Sequence, residues 1–273
     1  MNLRLNLLYF TPKSKKFKEN AKFLNIKFVA KILKKLVKIQ RAKRVIFVGD
    51  THGDLEASQK VIKDYLKPGN KIVFLGDYVD RGPFSKENLD FLLEQKEKFP
   101  NQIFLLQGNH EGHKILKFSP AEFWESLTEK EYQKYSQVVE SFPLGVVVKD
   151  IIALHGALPK IDKLEDFEKI EIGDENWFRI CWGDFVEENQ NNLGIDPFTG
   201  RPQFGKNYFL KIMEKLKKSV LLRSHQPNAP KFMFDDRCLT IFSSSAYGKE
   251  REIAIFDFKK ETKTARDLEI KRI

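Results

Sequence analysis

Cysteine is scarce in this chain. The 273 residues include only Cys181 and Cys238, which lie far apart and form no CxxC pair. This scarcity argues against a disulfide scaffold and against a metal site built from thiolates. It is typical of proteins from a reducing compartment, and we therefore expect a cytoplasmic protein.

Long hydrophobic runs are also missing. Charged residues interrupt each apolar stretch well before the roughly 20 residues that a membrane-spanning helix needs, so no transmembrane segment is expected. The opening stretch MNLRLNLLYFTPKSKK has no small-residue cleavage site, and we do not expect a signal peptide. The hydrophobic fraction of 41% suits a globular protein with one large domain or two small ones.

Acidic residues are nearly absent from the first 44 positions. Residues 1–44 hold 14 Lys and Arg and a single acid, Glu19, for a net charge of 14 − 1 = +13. The whole chain has 48 basic and 38 acidic residues, which leaves 34 and 37 for residues 45–273, a net charge of −3. The basic charge is confined to one end, so we expect no nucleic-acid binding.

The stretch 27–39 of this basic segment predicts an amphipathic helix, with lysines opposite an apolar face. The apolar positions at helical spacing are Val29, Ile32, Leu33, Leu36 and Val37. We expect this face to dock on the body of the protein. The alternative is a weak contact with a membrane surface or an acidic partner. The chain thus divides into a basic N-terminal segment, 1–44, and a main domain, 45–273.

From residue 45 onward, short apolar strands alternate with helical stretches. RVIFVGD, KIVFLGD and QIFLLQGN end in Gly-Asp or Gly-Asn, and their alternation with helices of about 10–15 residues is typical of βαβ units around a buried sheet. Residues 239–270 predict further strands in a second, more antiparallel sheet, and residues 186–204 predict a long loop. The predicted architecture is α/β, with two mixed β-sheets packed face to face and helices outside.

Histidine, aspartate and asparagine residues gather just after the predicted strands. They are Asp50, His52, Asp77, Asp80, Asn109, His110, His155 and His225. In α/β sheets, functional groups collect beyond the carboxyl ends of the strands. Such side chains without cysteine suit divalent ions such as Mn²⁺, Fe²⁺ or Zn²⁺. Pairs of metals about 3.5–4 Å apart typically serve phosphoester hydrolysis.

Six motifs resemble, in order, the signature of the phosphoprotein phosphatase family of metal-dependent serine/threonine phosphatases, in its compact prokaryotic form. They are GDTHGD (49–54), GDYVDRG (76–82), GNHE (108–111), HGA (155–157), RSHQ (223–226) and FSSSAYG (242–248). The resemblance covers roughly residues 45–250 and implies a calcineurin-like metallophosphoesterase fold for the catalytic domain.

The resemblance implies two bound divalent metal ions. The first would be held by Asp50, His52 and Asp77, and the second by Asp77, Asn109, His155 and His225, with Asp77 bridging. Mn²⁺ is the expected metal, with Fe, Zn, Co and Ni as alternatives. A hydroxide bridging the metals would attack phosphorus in line.

The resemblance also implies four catalytic residues. His110 would protonate the leaving alkoxide and would be oriented by Asp80. Arg81 and Arg201 would bind the phosphate oxygens.

Four further residues have expected positions. Glu111 is expected to be structural, Asp184 to support the site and Tyr247 to lie beside it. We expect His113, the second histidine of GNHEGH, to be a surface residue.

The implied function is hydrolysis of phosphoserine and phosphothreonine in proteins, with phosphotyrosine as a further substrate, so the expected partners are phosphoproteins. A small-molecule phosphoesterase or dinucleoside polyphosphate hydrolase is the alternative, because such relatives share the metal motifs. A non-catalytic binding protein is a third interpretation, against which the complete ligand set argues.

Overall fold

The computed structural model describes residues 34–248 and 250–273. Its strands are Leu36–Lys38 (β1), Arg44–Val48 (β2), Lys71–Phe74 (β3), Ile103–Leu105 (β4), Gly145–Val148 (β5), Ile151–Leu154 (β6), Asp184–Phe185 (β7), Asn192–Ile195 (β8), Pro202–Phe204 (β9), Val220–Arg223 (β10), Phe232–Met233 (β11), Cys238–Thr240 (β12), Glu252–Asp257 (β13) and Glu269–Arg272 (β14). Its α-helices are Leu55–Tyr65 (α1), Ser85–Lys98 (α2), Glu122–Ser126 (α3), Glu129–Val139 (α4), Glu175–Trp182 (α5) and Lys206–Leu216 (α6).

Two mixed sheets form the centre of the fold, as predicted. The six-stranded sheet has the order β1-β5-β6-β10-β12-β11, and the five-stranded sheet has the order β14-β13-β2-β3-β4. Phe47 and Val73 of the five-stranded sheet share a buried apolar cluster with Val146 and Leu222 of the six-stranded sheet. This shared core confirms that the two sheets pack face to face.

The helices cover the outer faces of the two sheets. Residues of α1 to α4 pack with the five-stranded sheet, and residues of α5 and α6 pack with the six-stranded sheet. Among the described residues, none of these helices combines the length and the apolar character that crossing a bilayer requires.

The prediction for residues 239–270 was wrong in its pairing. β12 runs parallel to β10 within the six-stranded sheet. β13 lies between β2 and β14 in the other sheet and is antiparallel to both. Alternating apolar residues identify a strand, but they do not determine which neighbour completes its hydrogen bonds.

The helix predicted over 27–39 is wrong at its carboxyl end. Leu36–Lys38 is a strand that pairs in parallel with β5, and the amide of Ile39 donates to Val147 O at 2.9 Å. The open edge of β5 offers backbone partners, and Leu36 enters the core beside the six-stranded sheet. Leu36–Lys38 is therefore an edge strand of the six-stranded sheet. Residues 27–33 lie outside the described part of the chain, where the basic helix stays a prediction.

The predicted loop over 186–204 carries regular structure. β7, β9 and β8 form a small three-stranded sheet, in which β8 and β9 make a hairpin. At its turn, Asp196 Oδ1 accepts from the amides of Phe198 and Thr199 at 3.0 and 2.7 Å. Side-chain hydrogen bonds of this kind favour turns over irregular chain. The hairpin positions Arg201 at the start of β9.

Candidate metal centre

The carboxyl ends of strands from both sheets meet at one place. Asp50 and His52 follow β2, Asp77 follows β3, Asn109 follows β4, His155 follows β6 and His225 follows β10. All six side chains are buried, with 2% exposure or less for each residue. The structure therefore brings together the six residues that the sequence proposed as metal ligands.

The chain makes left-handed turns at several of these positions. Residues with positive φ are His52 (41°), Asp77 (54°), Asp80 (66°), Arg81 (70°) and His225 (73°). Side chains other than glycine adopt such conformations at a cost of roughly 1–3 kcal/mol, and this strain clusters at functional sites. Backbone hydrogen bonds from Thr51 and His52 to Asp77 O, at 3.1 and 2.9 Å, hold two of the turns together.

Two glycines before the ligands have no room for a side chain. Gly108 is needed because a Cβ there would lie 2.2 Å from Asp77 Oδ1. A Cβ at Gly76 would lie 2.6 Å from Gly108 N, and its φ of 111° also favours glycine. Close approach explains both glycines, and the backbone turn adds a second reason for Gly76.

Asp77 lies between two clusters of potential ligand atoms. One comprises His52, Asp77 and His110, the other comprises Asp77, His155 and His225, and within each the ligand atoms lie within 4.8 Å of one another. Asp77 Oδ2 is 3.6 Å from His52 Nε2, and its Oδ1 is 3.4 Å from His155 Nε2. This is the position that a bridging carboxylate requires.

Asp50 lies beside both clusters. Its Oδ2 is 3.8 Å from His52 Nε2, and its Oδ1 is 3.6 Å from His155 Nδ1. Ser224 Oγ accepts from the Asp50 amide at 2.9 Å, and the amide of His225 donates to Asp50 Oδ2 at 3.2 Å. These bonds link the ends of β2 and β10 and fix Asp50 next to the clusters.

The orientation of the histidine rings fits metal binding. His52 Nδ1 donates to Val79 O at 2.8 Å, and His155 Nδ1 donates to Leu75 O at 3.0 Å. Each ring therefore points its Nε2 atom into the clusters. Metal-binding histidines typically donate their other ring nitrogen to a carbonyl or carboxylate in this way. His225 has the reverse orientation, with Nε2 lying 3.4 Å from Asp184 Oδ1.

Asn109 completes the second cluster. Its Oδ1 lies 2.9 Å from His225 Nδ1 and 3.1 Å from His155 Nε2, and these two ring nitrogens are themselves 3.1 Å apart. Ligands about 2.0–2.2 Å from a shared ion would lie about 3 Å from one another. The side chains therefore fit a dinuclear metal centre.

The electrostatics of the clusters favour a cation. Burial, followed by repulsion from Asp77, raises the pKa of Asp50 to about 7. Burial alone would lower the pKa of His155, but Asp77 and Asp50 outweigh it and raise that pKa to about 9. Negative charge that attracts a proton also attracts a metal ion, whose binding displaces the proton.

His110 and Asp80 form a buried pair beside the clusters. His110 Nδ1 lies 2.5 Å from Asp80 Oδ2, and the Phe123 amide donates to Asp80 Oδ1 at 2.7 Å. Trp124 Nε1 donates to His110 O at 2.7 Å. Burial alone would lower the pKa of His110, but attraction to Asp77, together with Asp80, raises it. The ring is thus fixed, with His110 Nε2 3.9 Å from Asp77 Oδ2.

The two predicted phosphate-binding arginines lie at the edge of the site. Arg81 Nη1 is 3.2 Å from Glu122 Oε2 and donates to Pro120 O at 3.0 Å. Arg201 Nη1 is 3.8 Å from Asp184 Oδ1, which also lies near His225 Nε2. The motifs gave no indication of Glu122, because it belongs to α3 and to none of them.

The remaining residues of GNHEGH have contrasting positions. Glu111 accepts hydrogen bonds from the amides of Asp77, Tyr78 and Gly108 at 2.8–2.9 Å, which is a structural role. The prediction for His113 was wrong, because it is only 7% exposed. Its ring stacks on Trp124 and its Nδ1 lies 3.1 Å from the Tyr132 hydroxyl.

Tyr247 lies beside the first cluster, as predicted. Its hydroxyl is 3.2 Å from His52 Nε2, and the two rings meet edge to face with centroids 5.3 Å apart. Tyr247 is 37% exposed. It therefore connects the buried cluster to the surface.

The model of the calcineurin-like phosphoesterase family matches residues 43–229, more than half of the chain. The chain therefore belongs to the calcineurin-like phosphoesterase family, and its site has the buried His and Asp clusters of a metallophosphoesterase.

The chain is also similar to curated serine/threonine-protein phosphatases. The probable serine/threonine-protein phosphatase of Encephalitozoon cuniculi is 26% identical over 233 residues, covering 78% of this chain and 49% of that protein. Human serine/threonine-protein phosphatase 5 is 29% identical over 224 residues, covering 77% and 44%. The chain thus spans about half the length of these curated relatives.

Among solved structures, a serine/threonine phosphatase from Saccharomyces cerevisiae superposes with a TM-score of 0.71 at 23% sequence identity. The match covers 87% of this chain and 83% of that one. It shows a shared fold.

Proposed function

We propose that this chain is a metal-dependent protein phosphatase that hydrolyses phosphoserine and phosphothreonine, with phosphotyrosine as a further substrate. The observation that carries the proposal is the His110–Asp80 pair beside two clusters that share Asp77. In this arrangement the proposed proton donor, His110, lies next to the proposed site for two metals. The names of the curated relatives support the substrate class.

The proposed metal ligands are those that converge at the strand ends. Asp50, His52 and Asp77 would hold one ion, and Asp77, Asn109, His155 and His225 would hold the other. When bound, two divalent ions lower the pKa of water and neutralise charge on a phosphoryl group. We propose Mn²⁺ as the native metal, since the carboxylate and amide oxygens suit it, with Fe, Zn, Co and Ni as alternatives because imidazole suits such ions.

Arg81 and Arg201 would bind the phosphoryl oxygens. Their side chains are 26% and 22% exposed, so a substrate can reach them. Each now faces a carboxylate, Glu122 for Arg81 and Asp184 for Arg201. A phosphate dianion offers the planar guanidinium a second acidic partner with suitable geometry.

His110 would donate the proton to the leaving group. The Asp80 carboxylate occupies its Nδ1, so Nε2 is the nitrogen that faces the clusters and the substrate. The alkoxide of serine or threonine is a poor leaving group, and a positioned acid contributes typically 10²–10⁴-fold to such a step.

The proposed site of action is the cytoplasm. Cys181 and Cys238 are both buried, unpaired thiols in the structure. This supports a reducing compartment, where such thiols persist. Fractionation of the native cell would test the proposal, and recovery outside the cytoplasm would contradict it.

A side-by-side assay with added Mn²⁺ tests the function. The substrates are phosphoserine, phosphothreonine and phosphotyrosine peptides, p-nitrophenyl phosphate and diadenosine tetraphosphate. We expect turnover of the phosphoserine and phosphothreonine peptides. Activity on diadenosine tetraphosphate or small esters alone would favour a small-molecule phosphoesterase. A His110→Asn preparation run in parallel shows whether any turnover comes from this site.

A further inference from the structure

A pocket of about 350 Å³ opens beside the metal centre, and its wall includes His52 and Arg81. Three connections form most of the remaining wall: residues 53–56 after β2, residues 82–84 after β3, and residues 244–246 between β12 and β13. Gln59 of α1 and Arg251 before β13 complete it. The pocket therefore shares a boundary with the phosphate-binding edge of the site.

The pocket is held in shape by hydrogen bonds between these connections. Arg251 Nε donates to Asp54 Oδ2 at 2.8 Å, and its Nη1 donates to Glu56 Oε2 at 2.9 Å. The amide of Ser245 also donates to Asp54 Oδ2, at 3.1 Å, and the amide of Phe84 donates to Gly53 O at 3.3 Å. Because all three connections are tied together, the pocket exists before a substrate arrives.

The charged groups of the pocket are already paired. Arg251 is paired with Asp54 and Glu56, and Arg81 is paired with Glu122 and would bind phosphate in the proposed function. The uncharged lining that remains is mostly apolar, from Leu55, Pro83 and Ala246 together with Phe84, which is 53% exposed, and its polar members are Gln59, Ser244 and Ser245. Such a surface fits an uncharged, apolar side chain.

We infer that this pocket binds an apolar side chain of the substrate polypeptide, one to three residues from the phosphorylated residue. The inference rests on the proposed protein phosphatase function and names the sequence preference of that site. An extended peptide advances about 3.3 Å per residue, so a residue at that separation reaches a pocket that shares its wall with the phosphate site. The volume of about 350 Å³ accommodates one large side chain.

The test compares peptide preference between two phenylalanine variants. Phe84 precedes α2 and lines the pocket, whereas Phe99 follows α2 at its other end and is 37% exposed. The 14 residues of the helix separate the two ends by about 20 Å. Phe99→Ala is therefore a matched control for the loss of an exposed aromatic ring.

Each enzyme is assayed, with Mn²⁺, on phosphoserine peptides. The peptides carry Leu, Ala or Lys at each of the three positions before and after the phosphoserine. We expect the wild type and Phe99→Ala to prefer Leu over Ala about tenfold in kcat/KM at one or more positions. Phe84→Ala should reduce that preference to about twofold or less. Each value is divided by the rate on p-nitrophenyl phosphate from the same preparation, which corrects for misfolded enzyme.

A second variant, Ala246→Trp, fills the pocket from the connection between β12 and β13 and should abolish the same preference. It provides the test if Phe84→Ala fails to fold. A Leu preference that survives in either folded variant, or no Leu preference in the wild type, would overturn the pocket assignment alone. Hydrolysis of p-nitrophenyl phosphate without hydrolysis of any phosphopeptide would overturn the proposed function and the pocket assignment together.

Discussion

The floor and the rim of the site are built in different ways. The floor consists of Asp50, His52, Asp77, Asn109, His155 and His225, and the rim consists of Arg81, Phe84 and Arg201. Floor residues are buried, and three of them lie in left-handed turns. Rim residues are exposed or partly exposed, up to 53% for Phe84. We therefore propose that the floor determines the reaction and that the rim determines which substrates enter.

A change to the shared floor residue should have the largest effect. Asp77→Asn removes the carboxylate common to both clusters, so we expect both metals to be lost. Changes to residues that only support a ligand cost about 10–100-fold in metal affinity or activity, and a shared ligand should exceed that range. Steady-state kinetics and metal content measure the effect. Asp162→Asn, at a carboxylate whose side chain is 79% exposed, is the control and should match the wild type.

Replacing the proton donor should lower turnover without removing the metals. For His110→Asn we expect kcat on phosphopeptides to fall by about 10²–10⁴-fold. The loss should be smaller on p-nitrophenyl phosphate, whose leaving group needs little protonation. Equal losses on both substrates would contradict the acid role.

His113 lies three residues after His110 and should respond differently to replacement. His113→Ala removes a ring packed against Trp124 and Tyr132, so we expect a lower melting temperature but little change in kcat. A loss of kcat as large as that of His110→Asn would show that the roles are divided wrongly.

Two glycine variants compare the surroundings of the floor with those of the rim. Gly108 precedes Asn109 of the floor, and Gly200 precedes Arg201 of the rim. In Gly108→Ala, the new Cβ would lie 2.2 Å from Asp77 Oδ1, whereas nothing lies within 4 Å of a Cβ at Gly200. We expect Gly108→Ala to lose activity and about 1–3 kcal/mol of stability through overpacking. Gly200→Ala has only the strain of a positive φ, about 1–2 kcal/mol in the hairpin. Thermal unfolding and metal content of both variants check this, and a fully active Gly108→Ala enzyme would contradict the close approach.

A rim arginine should affect substrate binding more than chemistry at the metals. Arg201→Ala removes a charged hydrogen-bond donor, worth about 1.5–3 kcal/mol, so kcat/KM should fall by about 10–100-fold. Metal content should stay at the wild-type level. Loss of metal in this variant would show that Arg201 acts through Asp184 and His225 rather than on phosphate.

The sequence predicted that the floor residues converge, because each proposed ligand follows an apolar strand and strand ends converge in α/β sheets. It did not predict several contacts around them. The Glu122 partner of Arg81 and the packing of His113 depend on how α3 and α4 pack, which no motif encodes. The same limit applies to Leu36. Its spacing in the sequence predicts a helix, but in the structure it belongs to a strand that pairs with the edge of β5. Local patterns identified the strands, and tertiary contacts decided what they pair with.

Metal content measured together with activity is the most direct test of the account. The purified protein is treated with EDTA, titrated with Mn²⁺ and analysed by inductively coupled plasma mass spectrometry while phosphopeptide hydrolysis is followed. We predict near-complete loss of activity after chelation and its return as two Mn²⁺ ions bind per chain. Full activity after prolonged incubation in excess EDTA would contradict the dinuclear centre.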